Sequence, residues 1–455
     1  MADFFGFEIK RKGNVEPIRP SFVPDTEEDG SGVIQAGGHF GAYLDLDGDK
    51  AKNEVDLIFK YRDIAAQPET DAAIEDIVNE SIVGDNDEAP VNLILDKLEI
   101  SDKIKESVKN EFETVLQLLN FNAYAHDIFR KWYVDGRLPY HIIIDEKSPK
   151  NGIKELRYID PTMLRKVKEI EEEKDPKTGA MIITKQQEYF LFQDGKMNAS
   201  NQGIKIHPDA IAYATSGMLD PTRKRILSYL HKAIKPVNQL RMMEDSLVIY
   251  RISRAPERRI FYIDVGNLPK GKAEEYLKGI MSQYRNKLVY DAKTGDIKDD
   301  RKHMSMLEDF FLPRREGGRG TEISTLPGGE NLGQIDDIIY FQKRLYKSLN
   351  VPISRLEQEQ QFTLGRSTEI SRDEIKFKKF IDRLRKRFSD VFNQLLKTQL
   401  MLKGIITAQD WADWKSYIAY DYIEDNYFAE LKESEMMRER FDMLGTVDEY
   451  AGKYV

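Results

Sequence analysis

Two stretches of helical periodicity, residues 271–287 and 335–349, enclose a segment that has none. In the first, Ala273, Tyr276, Leu277, Ile280, Met281 and Tyr284 fall on one face of a helix. In the second, Ile338, Ile339, Leu345 and Leu349 are the apolar positions, and Pro352 stops the helix. The enclosed segment, 288–332, is rich in Gly, Asp and Arg, with short apolar pieces at 288–290, 310–312 and 323–326. A chain written this way folds as two helices bracketing a compact module, placed at the tip of a stalk.

The flanks read as a mixture of helices and strands. Before the bracket, helices are expected over 52–66, 69–82, 101–120 and 122–134. Ser101 is placed to cap the third, and Asp135-Gly136 to end the fourth. The strand 140–144 follows. The strands 164–172 and 181–192 flank Asp175-Pro176-Lys177-Thr178-Gly179 and form a hairpin. A further strand or two lie in 205–214, and a helix over 226–252 is open to a break at Pro236. After the bracket, 357–368 is polar and Gln-rich and reads as an exposed loop. The longest helix is expected over 371–403. Its apolar stripe runs through Phe377, Phe380, Ile381, Leu384, Phe388, Phe392 and Leu395. The C-terminal part holds a strand over 417–422 and a last helix over 427–443. The first fifty residues, with few apolar anchors between 27 and 41, are expected to be poorly ordered.

Composition narrows the function. There is no cysteine, which excludes disulfide scaffolds, thiolate catalysis, zinc ribbons and iron–sulfur ligation. No apolar run approaches the ~20 residues that span a bilayer, and residues 1–20 lack a signal-peptide core, so a soluble intracellular protein is expected. The net charge is −9, but residues 1–100 hold 9 Lys/Arg against 23 Asp/Glu, so the remainder is slightly basic. Tight electrostatic binding of DNA needs a clear basic excess, which the chain lacks. Asp45-Leu46-Asp47-Gly48-Asp49 departs from a calcium loop, with Gly fourth rather than sixth. The histidines His39, His126, His141, His207, His231 and His303 show no metal-binding spacing. Gly317-Gly318-Arg319-Gly320 and Gly328-Gly329 lack the Lys-Ser/Thr of a phosphate loop. No nucleophile, metal centre or cofactor site is expected, and an enzyme is disfavoured. The long helix carries 10 Lys/Arg against 4 Asp/Glu over 372–403, a face better suited to solvent or to an acidic neighbour than to groove reading. Arg383, Arg385 and Arg387 are its candidate subunit-interface residues.

Long strings in order carry a family resemblance. They are Lys235-Pro236-Val237-Asn238-Gln239-Leu240, the run 244–259 that closes on Ala255-Pro256-Glu257-Arg258-Arg259, and Phe261-Tyr262-Ile263-Asp264-Val265-Gly266-Asn267-Leu268-Pro269. Phe129-Arg130-Lys131-Trp132-Tyr133, Val289-Tyr290-Asp291-Ala292-Lys293-Thr294-Gly295 and Val351-Pro352-Ile353-Ser354-Arg355 extend them. From about residue 52 onward the chain resembles the portal proteins of T-even-type tailed bacteriophages.

The resemblance implies an α+β, mainly helical portal fold of wing, stem, clip and crown, assembled as a dodecameric ring. It implies a poorly ordered arm over 1–51, wing over 52–268, stem helices over 269–287 and 335–352, and clip over 288–334. A tunnel loop and long channel-side helix occupy 353–403, and C-terminal wing and crown 404–455. The tunnel loop would be Glu357, Gln358, Glu359, Gln360, Gln361, Phe362, Thr363, Leu364, Gly365, Arg366, Ser367 and Thr368. Clip residues docking the motor would be Arg301, Lys302, Arg314, Arg315 and Arg319. Implied partners are further copies of the chain, non-specifically passing double-stranded DNA, the large terminase subunit, the major capsid protein, scaffold or core proteins and neck proteins. The implied location is the portal vertex of the virion, after assembly in host cytoplasm. Two features depart from the pattern. The first fifty residues do not match, and the family's charged C-terminal segment continues past the position of Val455, which implies a short or incomplete crown. The competing readings are a non-viral oligomeric DNA-binding scaffold and a metal-dependent nuclease.

Overall fold

The computed structural model describes residues 2–4, 7–9, 32–36, 49–84, 89–174, 181–193, 203–220, 225–254, 258–284, 288–290, 297–299, 309–314, 322–326, 335–355, 366–423, 437–438 and 440–445. The chain divides into two compact units, Met1–Ile234 with Tyr346–Val455, and Lys235–Leu345. In chain order the elements are β1 (Ala2–Phe4), β2 (Phe7–Ile9), β3 (Gly32–Ala36), α1 (Asp49–Ala65), α2 (Pro68–Ser81), β4 (Val91–Ile94), α3 (Asp102–Leu118), α4 (Phe121–Asp135), β5 (Arg137–Ile144), β6 (Ile153–Tyr158), β7 (Leu164–Lys174), β8 (Met181–Phe192), β9 (Ile204–Ile206), β10 (Ile211–Thr215), β11 (Met218–Leu219) and β12 (Ile226–Leu227). They continue with α5 (Ile234–Arg254), β13 (Arg258–Asp264), α6 (Lys270–Tyr284), β14 (Leu288–Tyr290), β15 (Ile297–Asp299), β16 (Asp309–Arg314), β17 (Glu322–Leu326), α7 (Asp336–Leu349), α8 (Arg366–Phe388), α9 (Asp390–Leu402), α10 (Ala408–Trp414) and β18 (Ala419–Tyr422).

Local chemistry sets the ends of the first unit's helices. Pro68 opens α2, where its fixed φ suits the first turn and its missing N–H costs nothing. Gly136 ends α4 at φ 70, and its N–H reaches the Trp132 carbonyl. A Cβ on Gly136 would lie 2.9 Å from the Leu227 carbonyl oxygen, so the turn needs glycine twice over. Thr407 and Asp410 form a reciprocal capping box on α10. Ser101 holds the N-cap position of α3 in extended conformation, but its hydroxyl makes no cap bond.

The helices bury an aromatic core. Phe388 of α8 packs against Phe129, Trp132 and Phe121 of α4 and against Phe392 of α9, with ring centroids 5.0, 5.5, 6.2 and 5.6 Å away. Phe112 of α3 meets Phe392 edge-on at 5.7 Å. All these rings are buried. Edge-to-face pairs of this kind add ~0.5–1.5 kcal/mol each beyond the burial itself.

One helix also closes both edges of a sheet. Strands β10, β5 and β6 form an antiparallel sheet in that order. Along α9, the Gln394 side chain accepts the Tyr213 N–H at 2.6 Å and donates to the Tyr213 carbonyl at 3.0 Å, acting as a substitute strand along β10. Gln399 accepts the Ile153 N–H at 2.7 Å on β6 and donates to Glu111 at 2.7 Å, which Lys403 also meets at 2.8 Å. Unpaired edges invite other strands, and these two amides occupy them. Tyr213 lies opposite Pro139 in the central strand. Its backbone groups turn to Gln394, so the proline's missing donor is not needed there. The strand expected over 140–144 therefore begins earlier, at Arg137. Gly152, at φ 86, precedes β6, and a side chain there would sit 2.6 Å from the Gln399 amide.

The expected hairpin is β7 and β8, paired antiparallel from Leu164↔Phe192 to Lys174↔Met181. The sheet extends to β3-β7-β8-β9, with β3 parallel to β7. Of the stretch 27–41, residues 32–36 form this strand and the remainder lies outside the described residues. Late in the chain, β18 returns to pair with β4, Tyr422 opposite Val91. An ion cluster ties α1 to the ends of α4 and β6. Arg62 donates to Asp135 at 2.8 and 2.9 Å and to Asp160 at 3.1 Å.

In the second unit, β13 is central, parallel to β16 and antiparallel to β17. Ile263 and Val265 pack on Ala273 and Leu277 of α6, with Phe261 and Ile280 at the margin. This unit starts at Lys235, and within it β13 shares a sheet with β16 and β17, which lie beyond residue 288. Pro236 lies in the first turn of α5 and does not break the helix.

Gln399→Ala should lower the unfolding free energy by about 1–3 kcal/mol, because the buried Ile153 amide then lacks an acceptor. Equal denaturant midpoints for variant and parent would contradict this. A second outcome concerns acid. Burial pushes the Asp160 carboxyl up, but the Arg62 guanidinium and two bonds from Thr162 more than offset it, and the group sits below its ordinary value. Its folded-state pKa being depressed, its stabilisation is full above the ordinary carboxylate range near ~4 and is lost as pH falls through the folded value. Asp160→Asn should therefore flatten the acid limb of the melting temperature against pH. An unchanged acid limb would count against it.

Candidate functional site

The ends of α7 and α8 meet at an arginine. Helix α7 stops in a Schellman turn: Asn350 takes φ 62, its N–H bonds the Lys347 carbonyl, and the Val351 N–H bonds that of Tyr346. Pro352 prevents continuation, and a short 3-10 turn, Ile353–Arg355, follows. Arg355 donates to both Glu374 oxygens, at 3.2 and 3.0 Å, and to Glu80 at 3.1 Å. Its guanidinium lies 4.5 Å above the Phe377 ring. One side chain thus joins the 3-10 turn, α8 and the last turn of α2. Beside it, Asp76 is raised by burial, an effect that Arg355 opposes. A cleft of about 260 Å³ is lined there by Asp76, Glu80, His126 and Arg355 among others.

Arg385 is the larger surprise. It was expected on the basic outer face of the long helix, yet it is only 8 % exposed. Its Nε donates to the Ser81 carbonyl at 3.0 Å, and Nη2 to those of Glu80 at 3.0 Å and Ile423 at 3.2 Å. The guanidinium also stacks 5.3 Å from the Tyr422 ring. The last carbonyls of a helix lack intrahelical donors and carry partial negative charge, so a cation at the end of α2 is well placed. Arg385 therefore belongs to the core of its own subunit and is corrected as an interface residue. Arg383 and Arg387 are exposed. Arg383 lies 5.9 Å from the Phe380 ring, and Arg387 packs over the backbone of Gly217.

The single helix expected over 371–403 is two. The Arg385 carbonyl receives the Ser389 N–H at 2.9 Å, the Ser389 hydroxyl at 2.8 Å and the Tyr422 hydroxyl at 3.2 Å. Ser389 and Tyr422 hydroxyls are themselves 2.7 Å apart. Overloading one carbonyl in this way bends a helix, and α8 ends at Phe388. Burial holds Tyr422 above its ordinary range, so the phenol stays protonated as a donor, although Ser389 and Arg385 act in the other direction.

Of the other expected site residues, Arg366, Ser367 and Thr368 form the first positions of α8 rather than a loop. Glu357, Gln358, Glu359, Gln360, Gln361, Phe362, Thr363, Leu364 and Gly365 lie outside the described residues. So do Arg301, Lys302, Arg315 and Arg319, while Arg314 ends β16 in register with Asp264 of β13. The last helix expected over 427–443 is seen at 437–438 and 440–445, where Met437, Phe441, Met443 and Leu444 are exposed. The acidic turn Asp45–Asp49 lies outside the described residues but for Asp49, at the start of α1. Among the described residues, no three His, Asp or Glu side chains gather to hold a metal ion, and no helix is long and apolar enough to cross a membrane.

The family model described as Bacteriophage T4-like portal protein (Gp20) matches residues 54–455. A portal protein of Vibrio phage KVP40 is 44% identical over 418 residues, 88% of this chain and 80% of that protein. A portal protein of Salmonella phage ViI is 37% identical over 447 residues, 94% of this chain and 79% of that protein. A solved structure described as the neck of a native GTA particle computed with C12 symmetry aligns at TM-score 0.45 and 13% identity, over 86% of this chain and 89% of that chain.

Arg385→Met should lower the unfolding free energy by about 3 kcal/mol, because it leaves the buried Ser81 carbonyl and the half-buried Glu80 and Ile423 carbonyls without a charged donor. Arg383→Met should stay within ~0.5 kcal/mol of the parent. Equal effects of the two substitutions in denaturant titrations would return Arg385 to the surface.

Proposed function

The chain belongs to the bacteriophage T4-like portal protein family, and from that premise we propose that it forms a closed homo-oligomeric ring of about twelve subunits at one vertex of the phage head. The ring is a conduit. Double-stranded DNA passes through it without sequence recognition, entering under the large terminase subunit and leaving past the neck proteins. The major capsid protein and scaffold or core proteins build the head around it. Helices α6 and α7 are the stem, and the segment between them, with Arg301, Lys302, Arg314, Arg315 and Arg319, is the clip that meets the motor. Residues 357–368 project towards the DNA. The role is structural, not catalytic, and the protein resides in the virion after assembly in the host cell.

The observation that carries this reading is the family match across residues 54–455, with 44% identity to a phage portal protein. Charge supports the conduit. Each phosphate gripped by Lys or Arg deepens a salt-dependent well, and a ring multiplies that grip by its subunit number. A net charge of −9 and a projecting segment of mostly neutral side chains suit a surface that DNA must slide past.

Deleting 357–365 should leave the purified protein assembled, with a light-scattering mass near twelve times 52.8 kDa, and abolish DNA packaging or retention in infected cells. Loss of assembly in the deletion would make the segment a packing element. Normal packaging would remove it from the DNA path.

A further inference from the structure

Two exposed helix rows in the first unit carry matching patterns. On α8, Arg372, Ile375, Lys379, Asp382 and Lys386 recur at alternating steps of three and four residues, and all five are exposed. Residues so spaced share one face of a helix. On α1, Asp56, Phe59 and Asp63 are spaced by three and four residues and are exposed.

Laid against each other with Phe59 on Ile375, the exposed residues complement: Asp56 and Asp63 face Lys379 and Arg372. The rows do not cover each other within one copy. Both helices pack on α2, yet Phe59 remains 55 % exposed and Ile375 47 % exposed. Lys60 stands at the margin of the first row, and beside the second Lys376 already pairs with Asp373 at 2.8 Å.

We propose that α1 of one copy lies along α8 of the next, with Asp56 and Asp63 facing Lys379 and Arg372 on either side of a Phe59–Ile375 contact. The partner is a second copy, and the inference rests on the ring reading above. A closed ring requires two different surfaces on each subunit, and these rows are two different surfaces. Two features favour a protein face over a polyanion. Asp382 sits within the basic row, where it would repel phosphate, and Ile375 offers phosphate nothing. Pairing also neutralises cations that would otherwise add to the grip on passing DNA.

The test is a charge swap, read as mass by light scattering. The parent protein should assemble. Arg372→Asp with Lys379→Asp should lower the assembled fraction at least tenfold in favour of monomer, and Asp56→Lys with Asp63→Lys should do the same. All four substitutions together should restore assembly. The substituted side chains are exposed, and unchanged thermal melting of each variant confirms folding. If the parent itself stays monomeric, the ring reading fails. If the parent assembles and either double variant assembles equally well, the pairing of these faces is overturned. The same holds if both double variants dissociate and the combined one does not recover. Intact rings with weakened DNA binding in the α8 variant would overturn it in favour of a nucleic-acid contact.

Discussion

The first unit depends on how α8 enters it. Phe388 is the ring that the other core aromatics share, touching α4 on one side and α9 on the other. One turn earlier on the same face, Arg385 binds the carbonyl end of α2 and the carbonyl of Ile423, just past the last strand. An apolar hub and a buried cation are thus fixed by one helix face. The cation costs desolvation, and it is retained because three carbonyl acceptors and a helix C-terminus receive it. Removing it would loosen α2, α8 and β18 together. Those elements come from residues near 80, 385 and 422, so the contact closes the unit across most of its sequence.

Regular periodicity is legible in the sequence. The faces of α1 to α4, α6 and α7 follow from apolar spacing, and β7 and β8 from the turn chemistry of Asp175 to Gly179. Non-local contacts are not. Strand β3 is short and flanked by glycines, and only the edge of β7 makes it a strand. The break at Ser389 depends on the Tyr422 hydroxyl, which no local pattern connects to it. Gln394 and Gln399 look like solvated helix residues until the sheet edges appear beneath them.

Arg385 is instructive because the signal for it was present. It lies four residues after Ile381 and three before Phe388, in the middle of the apolar stripe, and a helical wheel places it inward. Grouping it with Arg383 and Arg387 by charge hid that position. Arg355 is the complementary case. Its partners Glu80 and Glu374 are distant in sequence, and a lone arginine in a short turn carries no warning that it ties two helices together.

The proposed closed ring around a passing duplex rests on family membership, a helix-bracketed insertion and a charge distribution unsuited to gripping DNA. Imaging single particles of the purified full-length protein tests that claim most directly. The account predicts closed rings of uniform size with a central opening wide enough for a DNA double helix. Monomers at high protein concentration, or open filaments with no closed ring, would contradict it.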